Sequence, residues 1–111
     1  MDHLNQYREI IEQLLSKVAR IKYAYGDIKD NTIFDRQADS YAVITQGWDG
    51  PLRIHDMVIH IKIINGKIWL QEDNTDLVIA RELEEAGIPK TDIVLGFQHP
   101  SVRQYTDYAA A

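Results

Sequence analysis

The sequence predicts a two-layer α+β domain, with an antiparallel sheet of about four strands and with N-terminal and C-terminal helices packed on one face. Two amphipathic helical patterns flank a central stretch that is rich in β-branched and aromatic residues. The dipeptide Asn65-Gly66 interrupts that stretch and is a strong signal for a tight hairpin. Since 111 residues suffice for one core and are too few for two, we predict a single domain over residues 1–111.

The first helix is predicted over residues 3–21, where apolar side chains recur at helical spacing. The main positions of this stripe are Leu4, Tyr7, Ile11, Leu14 and Val18. Asp2 can cap the start of the helix. The only basic cluster of the chain, Lys17, Arg20 and Lys22, falls in the last turn, where positive charge complements the helix dipole.

Four strands are predicted in the central stretch, because groups of β-branched and aromatic residues alternate there with turn signals. Their predicted ranges are 32–37, 41–46, 52–64 and 67–72. The segment Gly47-Trp48-Asp49-Gly50-Pro51 is predicted to be the turn between the second and third strands. Asn65-Gly66 joins the third and fourth, since both central residues of a type I′ turn need a positive φ.

This hairpin turn predicts which residues of the last two strands share a face of the sheet. Lys62 should lie opposite Trp69, and His60 opposite Gln71. The face expected to pack on the helices carries Ile59, Ile61, Ile63, Ile68 and Leu70. The other face is expected to carry Asp56, His60, Lys62, Trp69 and Gln71, and His55 is expected on the face opposite to His60.

A second helix is predicted after the sheet, with Asn74 or Thr75 as its cap, and it should run to about Ala86. Gly87 and the proline that follows should end it. The rest of the chain contains a short apolar run over 93–97 and a helical turn after residue 100. These C-terminal elements complete the predicted order of helix, sheet, helix and short segments.

No catalytic, cofactor-binding or metal-binding residues are predicted. The chain has no cysteine, its histidines lack zinc-site spacing, and neither a phosphate-binding loop nor a nucleophile elbow is present. The acidic stretch from Glu72 to Asp76 could hold a divalent cation, but the EF-hand pattern is absent. We interpret that stretch as a strand end followed by a helix whose first turn favours acids.

Charge and hydropathy restrict the function classes further. The formal net charge of −5 disfavours direct nucleic-acid binding, because such binding depends on Lys and Arg displacing counterions from phosphates. The chain has no apolar run of about 18 residues that could cross a bilayer, and its N-terminus lacks the signal-peptide pattern. We therefore expect a cytoplasmic protein that does not contact membranes.

The sheet face opposite the predicted helices is the one candidate recognition surface, with Trp69 surrounded by His60, Lys62 and Gln71. Two interpretations stay open, because Trp69 could anchor a partner, or it could instead be covered by the C-terminal segment or pack on the stem of Lys62 as a cross-strand pair. Trp48, in its predicted turn, is a second candidate contact. A tryptophan in a turn can also fold back on the core, and large aromatic side chains are usually mostly buried.

The chain resembles the XisI family over nearly its whole length. The first part of the resemblance consists of Tyr7-Arg8, Ile10-Ile11, Tyr23-Ala24-Tyr25-Gly26, Ile33-Phe34-Asp35-Arg36, Gly47-Trp48-Asp49-Gly50, Arg53 and His55. The second part consists of His60, Asn65-Gly66-Lys67-Ile68-Trp69-Leu70-Gln71, Glu82-Leu83, Ala86-Gly87-Ile88-Pro89, Val94-Leu95-Gly96-Phe97, Pro100, Val102-Arg103 and Tyr105-Thr106. Lys62 departs from the family, where an acidic residue is expected.

The resemblance implies a non-enzymatic factor that controls excision of the fdxN element during heterocyst differentiation in cyanobacteria. It also implies a nuclease-like companion, XisH, and we expect this chain to act by protein contacts with it. The alternatives are a DNA-binding excisionase-like factor and an enzyme with a deep pocket at Asp56 or His60. A homodimer is a further expectation that the sequence leaves open.

Overall fold

The computed structural model describes residues 3–20, 27–75 and 77–111. The elements in chain order are α1 (His3–Ala19), β1 (Asp27–Asp35), β2 (Ser40–Asp49), β3 (Leu52–Ile64), β4 (Lys67–Asp73), α2 (Ile79–Glu85), a 3₁₀ turn (Lys90–Asp92), β5 (Ile93–Leu95) and α3 (Pro100–Arg103). The predicted α+β class is confirmed. None of the helices in the described residues is long and apolar enough to span a bilayer.

The sheet has five strands in the order β1-β2-β3-β4-β5 and is mixed rather than fully antiparallel. β5 runs parallel to β4, with Ile68 opposite Ile93. The fifth strand was not predicted, because it is only three residues long and lies inside a mixed C-terminal pattern. Its parallel direction follows from α2, since a helix between two neighbouring strands returns the chain to the end where the first strand began.

The hydrophobic core lies between the sheet and the pair α1 and α2, as predicted. Along α1 the buried residues are spaced by three or four positions, which is the stripe expected of an amphipathic helix. The core residues of the helices are Tyr7, Ile11, Leu15, Val18, Ile79, Ala80 and Leu83, and those of the central strands are Tyr41, Val43, Ile59, Ile61, Ile63, Ile68 and Leu70. Leu14 packs against this cluster from its margin.

Polar contacts fasten the helices to the sheet. Arg8 donates two hydrogen bonds to the Asp39 carboxylate, at 2.8 and 3.1 Å, and so holds α1 on the β1–β2 turn. The Tyr7 hydroxyl donates to Asp92 and the Tyr108 hydroxyl donates to Glu84, which joins α1 and the chain end to the C-terminal part of the fold. These bonds surround the core at its edges.

The hairpin at Asn65-Gly66 is confirmed, with φ of 51° at Asn65 and 79° at Gly66. The predicted register holds from this turn as far as Ile61, which lies opposite Leu70. A shift then occurs after His60, so that His60 faces Glu72 and not Gln71. The predicted pairing of His60 with Gln71 is therefore wrong, because Gln71 is the extra residue of a β-bulge.

A second bulge interrupts the pairing of β2 with β3. Val43 lies opposite Ile59 but Ile44 lies opposite Met57, so Val58 is the extra residue. One extra residue exchanges the two faces for the rest of the strand. Asp56 therefore lies on the helix side, opposite Thr45, while His55 shares the other side with His60. Both predictions about Asp56 and His55 are wrong for this reason.

β1 and β2 extend much further than predicted. β1 begins at Asp27 rather than at residue 32, and β2 continues through Trp48 to Asp49. The predicted turn over residues 47–51 thus shrinks to Gly50-Pro51. Polar residues such as Lys29 have low strand propensity, but their pairing with β2 overrides it.

The start of α2 differs from the prediction as well. Neither Asn74 nor Thr75 caps it, and the helix begins at Ile79. Asp73 takes that role from the end of β4, since its carboxylate accepts hydrogen bonds from the Thr75 and Ile79 backbone N–H groups at 3.0 and 3.2 Å. Asp73 thus orders the entry to the helix. Glu72 and Asp73 end a strand, as expected, but the acid in the first turn of the helix is Glu82 and not a member of this stretch.

Candidate surface for a protein partner

The face of the sheet opposite α1 and α2, here called the outer face, is only partly covered. Its side chains follow from strand alternation and the two bulges. Ile33, Ala42 and His60 form one row across β1, β2 and β3, and Lys62 with Trp69 belongs to a neighbouring row. Segments after β5 lie over one end of this face and leave the other end open.

The C-terminal segment covers Trp69. The Arg103 guanidinium lies 5.0 Å from the centroid of the Trp69 ring, within the range of a cation–π contact. Arg103 is itself held by hydrogen bonds to the carbonyl oxygens of Gln98 and Gly96, at 3.0 and 3.3 Å. The neighbouring Val94 is fully buried. The sequence left two interpretations open, and in the structure Trp69 is covered by the C-terminal segment.

Gln71 also lies beneath this cover. A Cβ built on Gly96 would stand 2.8 Å from the Gln71 side-chain oxygen, so the glycine allows the loop after β5 to approach. His60 lies nearer the open end, and its Nε2 is 3.0 Å from the Ser40 hydroxyl. Lys62 is partly buried between Ser40 and Trp69. The predicted candidates are therefore separated: Trp69 and Gln71 are under the cover, whereas His60 and Lys62 border the open sheet.

The open end of the sheet is an arm formed by β1, the part of β2 from Ile44 onward and the part of β3 up to Val58. β4 ends opposite Ile59, so these strands continue without it beyond that point. Trp48 lies near the tip of the arm and is 49% exposed. The interpretation in which Trp48 folds back on the core is therefore wrong. Instead, the Arg53 guanidinium lies 5.3 Å from the centroid of its ring, on the neighbouring strand.

We call the outward side chains of this arm the arm face, and its apolar members are Ile33, Ile44, Met57 and Trp48. Ile33 is 52% exposed and Met57 is 37% exposed. Lys29, Gln46 and His55 form a polar row between Met57 and Trp48, and Arg53 lies opposite Trp48. Sequence reasoning missed Ile33, Ile44, Met57 and the stacking role of Arg53, because only the Val58 bulge brings Met57 to the outer side.

The position of the arm depends on the close approach of β1 to β2 at Gly47. A Cβ at this residue would lie 1.9 Å from the carbonyl oxygen of Asp27 and 2.8 Å from Ile28 Cα. Its φ of 152° is also one that side chains with a Cβ rarely adopt. Glycine therefore allows β1 to lie against β2 up to Trp48, and this accounts for the first residue of the Gly47-Trp48-Asp49-Gly50 motif.

Side chains with shifted pKa values lie away from the arm face. Hydrogen bonds from Arg8 hold the pKa of Asp39 below its usual value, and burial is the main cause that raises the pKa of Tyr41 to about 12. Burial, together with bonds to Asp92 and Glu84, likewise raises the pKa values of Tyr7 and Tyr108 to about 12. All four groups fasten elements of the fold to one another.

Within residues 3–20, 27–75 and 77–111, no three histidine, aspartate or glutamate side chains converge as metal ligands. A pocket of about 420 Å³ lies near the end of β4 and is lined by Thr45, Asp56, Met57, Val58, Glu72 and Asn74. His60 is not among its lining residues, so this pocket does not join Asp56 to His60. The geometry instead offers a sheet surface on which rows of apolar side chains alternate with a row of basic and polar ones.

Comparison with known proteins places the chain in a family. The model of the XisI protein family matches residues 1–110. The crystal structure of a XisI-like protein from Anabaena variabilis ATCC 29413 is 42% identical and superimposes with a TM-score of 0.91, covering 97% of this chain and 99% of that one.

A second crystal structure, of the fdxN element excision controlling factor XisI from Anabaena variabilis ATCC 29413, is 41% identical with a TM-score of 0.85. That superposition covers 99% of this chain and 100% of the other. A search of curated proteins found no match. The full-length match to the family and the two similar structures show that this chain belongs to the XisI family.

Proposed function

We propose that this chain is a controlling factor for the excision of a DNA element, and that it works by binding a protein without catalysing a reaction itself. A relative of similar length is named as the fdxN element excision controlling factor, which supports the general role. The half-exposed Trp48 on an uncovered sheet face carries the mechanistic part of the proposal. A tryptophan that its own fold does not bury is a favourable anchor for a partner.

The partner in this proposal is an XisH-type companion, and the arm face is the surface that binds it. Ile33, Met57 and Trp48 would provide apolar contact, while Lys29 and Arg53, in the rows beside them, would provide charge. A surface that combines exposed apolar and aromatic side chains with an arginine is typical of protein interfaces. His60 and Lys62 lie on the same side of the sheet and extend the surface toward the covered end.

DNA binding is a second candidate, and one observation favours it. Lys29, Arg53 and Lys62 all point to the outer face, although the chain as a whole has a net charge of −5. Acidic Asp27, Asp35 and Glu72 share that face, which weakens its positive potential. We therefore place DNA binding second. It predicts an affinity that falls steeply as salt increases.

The experiment is size-exclusion chromatography with light scattering on this chain, on its mixture with an XisH-type companion, and on its mixture with duplex DNA. The proposal predicts a complex with the companion in the absence of DNA. Trp48→Ala should weaken that complex by about 30-fold, since a tryptophan that anchors an interface commonly contributes about 2 kcal/mol. Arg53→Ala should weaken it less.

Phe97→Ala is the matched control, because Phe97 has the same 49% exposure as Trp48 but lies in the loop after β5. It should leave the complex unchanged. Equal losses in the two variants would refute the arm face as the binding surface. Binding to DNA alone, with no companion complex at any concentration tested, would refute the proposed mechanism and favour the second candidate.

A further inference from the structure

The outer edge of the sheet is a long unpaired strand. β1 has nine residues, its pairing with β2 contains no bulge, and no strand lies beyond it among the described residues. Strand edges present unpaired backbone N–H and C=O groups that readily bond to another strand. Natural proteins usually blunt such edges with proline, bulges or charged side chains. β1 contains neither proline nor a bulge, and two of its charged residues, Lys29 and Asp35, have opposite sign.

Among the described residues, a groove separates the helical layer from this edge. A shallow groove between α1 and β1 is lined by Glu12, Gln13, Ser16, Arg20 and Phe34. Phe34 lies on the helix side of β1, opposite Tyr41, and packs on the core only in part. Within the part of the chain that the structure describes, this groove leaves space beside α1 for the corresponding layer of another molecule.

The charges of β1 are self-complementary in one antiparallel register. When two copies of β1 are placed antiparallel with Thr32 opposite Thr32, Lys29 of each copy lies opposite Asp35 of the other. Lys29 and Asp35 also share the outer face, so both charged pairs form on the same side. Moving the register two residues in one direction would instead place Asp27 opposite Asp35, which is repulsive.

Neither member of this pair is neutralised within its own molecule. Lys29 lies opposite the uncharged Gln46, and among the described residues it forms no ion pair. Asp35 uses Oδ1 to accept hydrogen bonds from the Gln37 and Ala38 backbone N–H groups. Its Oδ2 remains available for a lysine of a neighbouring strand.

We propose that a second copy of this chain binds along β1, with Thr32 at the two-fold axis, so that two sheets join into one continuous sheet of ten strands. An axis perpendicular to the sheet keeps both helical layers on one side and both arm faces on the other. The dimer then presents two arm faces in one direction. This proposal does not depend on the proposed companion, because it uses the strand edge and not the arm face.

A disulfide cross-link tests the register directly, since the wild-type chain has no cysteine. Thr32→Cys should place two thiols within bridging distance, because opposed residues of antiparallel strands have Cα atoms about 4.5–5.5 Å apart. Lys29→Cys is the matched control: it is also exposed, but the two Lys29 positions are far apart in this register. Under mild oxidation, Thr32→Cys should form covalent dimers at least about 10-fold faster than Lys29→Cys.

Charge reversal tests the same dimer without a covalent bond. Lys29→Asp and Asp35→Lys should each be monomeric by light scattering at concentrations where the wild type is dimeric, and their equimolar mixture should restore the dimer. Asp35→Asn keeps a side-chain oxygen that can accept the hydrogen bonds of the β1–β2 turn. It should weaken the dimer only moderately, so this variant separates the effect of the lost charge from that of a disturbed turn. A wild type that stays monomeric, or equal cross-linking of the two cysteine variants, would overturn the proposal. Loss of companion binding alone would not affect it.

Discussion

The two halves of the sheet have different environments although the same strands pass through both. Where β2 and β3 lie under α1 and α2, residues such as Tyr41, Val43 and Ile61 are fully buried. In the arm, residues of these strands are exposed, with Leu52 at 61% and Trp48 at 49%. The comparison shows that pairing alone maintains the arm, whereas packing maintains the other half, here called the packed half.

This difference suggests a division of roles. The packed half contains the groups with shifted pKa values, including Asp39 and Tyr41, and they connect elements of the fold. The arm contains apolar side chains that no described helix covers. Stability should therefore depend on the packed half, and binding on the arm.

The largest expected effect is in the packed half. Ile61→Ala should lower the free energy of unfolding by about 2–5 kcal/mol, because it leaves a cavity at a fully buried position. Ile54→Ala, on the partly exposed helix side of the arm, should cost less than about 1 kcal/mol. Urea denaturation of both variants measures the difference. Equal losses would contradict the comparison.

A backbone substitution should have the next largest effect and should act on the arm itself. Gly47→Ala should lower the free energy of unfolding by about 1–3 kcal/mol, since its Cβ would collide with the Asp27 carbonyl at a strained φ. Gly50→Ala is the control. It also has a positive φ, of 59°, but open space around it, and should cost about 1 kcal/mol. Only Gly47→Ala should increase amide exchange at the start of β1.

Acid should weaken the packed half through Asp39. Its pKa is lowered in the folded state by Arg8, so this stabilisation is complete above the ordinary aspartate pKa and is lost as the pH falls through the folded value. Asp39→Asn, which tolerates the φ of 50°, should cost about 1–2 kcal/mol at pH 7. The difference from wild type should shrink as the pH falls below the ordinary aspartate pKa and vanish below the lowered pKa of the folded state. A difference independent of pH would contradict the Arg8 bond as its source.

High pH should also destabilise the fold, here through three tyrosines at or beside the core. Tyr7, Tyr41 and Tyr108 have pKa values raised to about 12, so folding favours their neutral forms. The stability that they contribute is complete below the ordinary tyrosine pKa of about 10 and is lost as the pH rises toward 12. Ultraviolet titration should show these three of the six tyrosines ionising late. Early ionisation of all six would contradict the buried hydrogen bonds.

The smallest effect on stability is expected at the arm face. Trp48→Ala should change the free energy of unfolding by less than about 1 kcal/mol, because the side chain is half-exposed and contacts Arg53. Thermal unfolding followed by circular dichroism measures it. A large loss of stability would show that Trp48 supports the fold and would remove the basis for a separate binding role.

The sequence was informative where a local signal determined the structure. Asn65-Gly66 determines the turn, and from it the burial of Ile61, Ile63 and Ile68 follows. The faces of Asp56 and His55 could not be predicted, since the Val58 bulge leaves no local mark in the sequence. The covered Trp69 and exposed Trp48 depend on where remote segments pack. Residue types alone did not distinguish the two tryptophans.

Hydrogen–deuterium exchange of this chain, alone and with an XisH-type companion, tests most directly the claim that the packed half maintains the fold while the arm binds. Alone, the amides of β3 that pair with β4 should exchange far more slowly than those of the arm. The companion should add protection over residues 42–57 and leave α1 and α2 unchanged. Added protection on the helices, with the arm unaffected, would contradict the account.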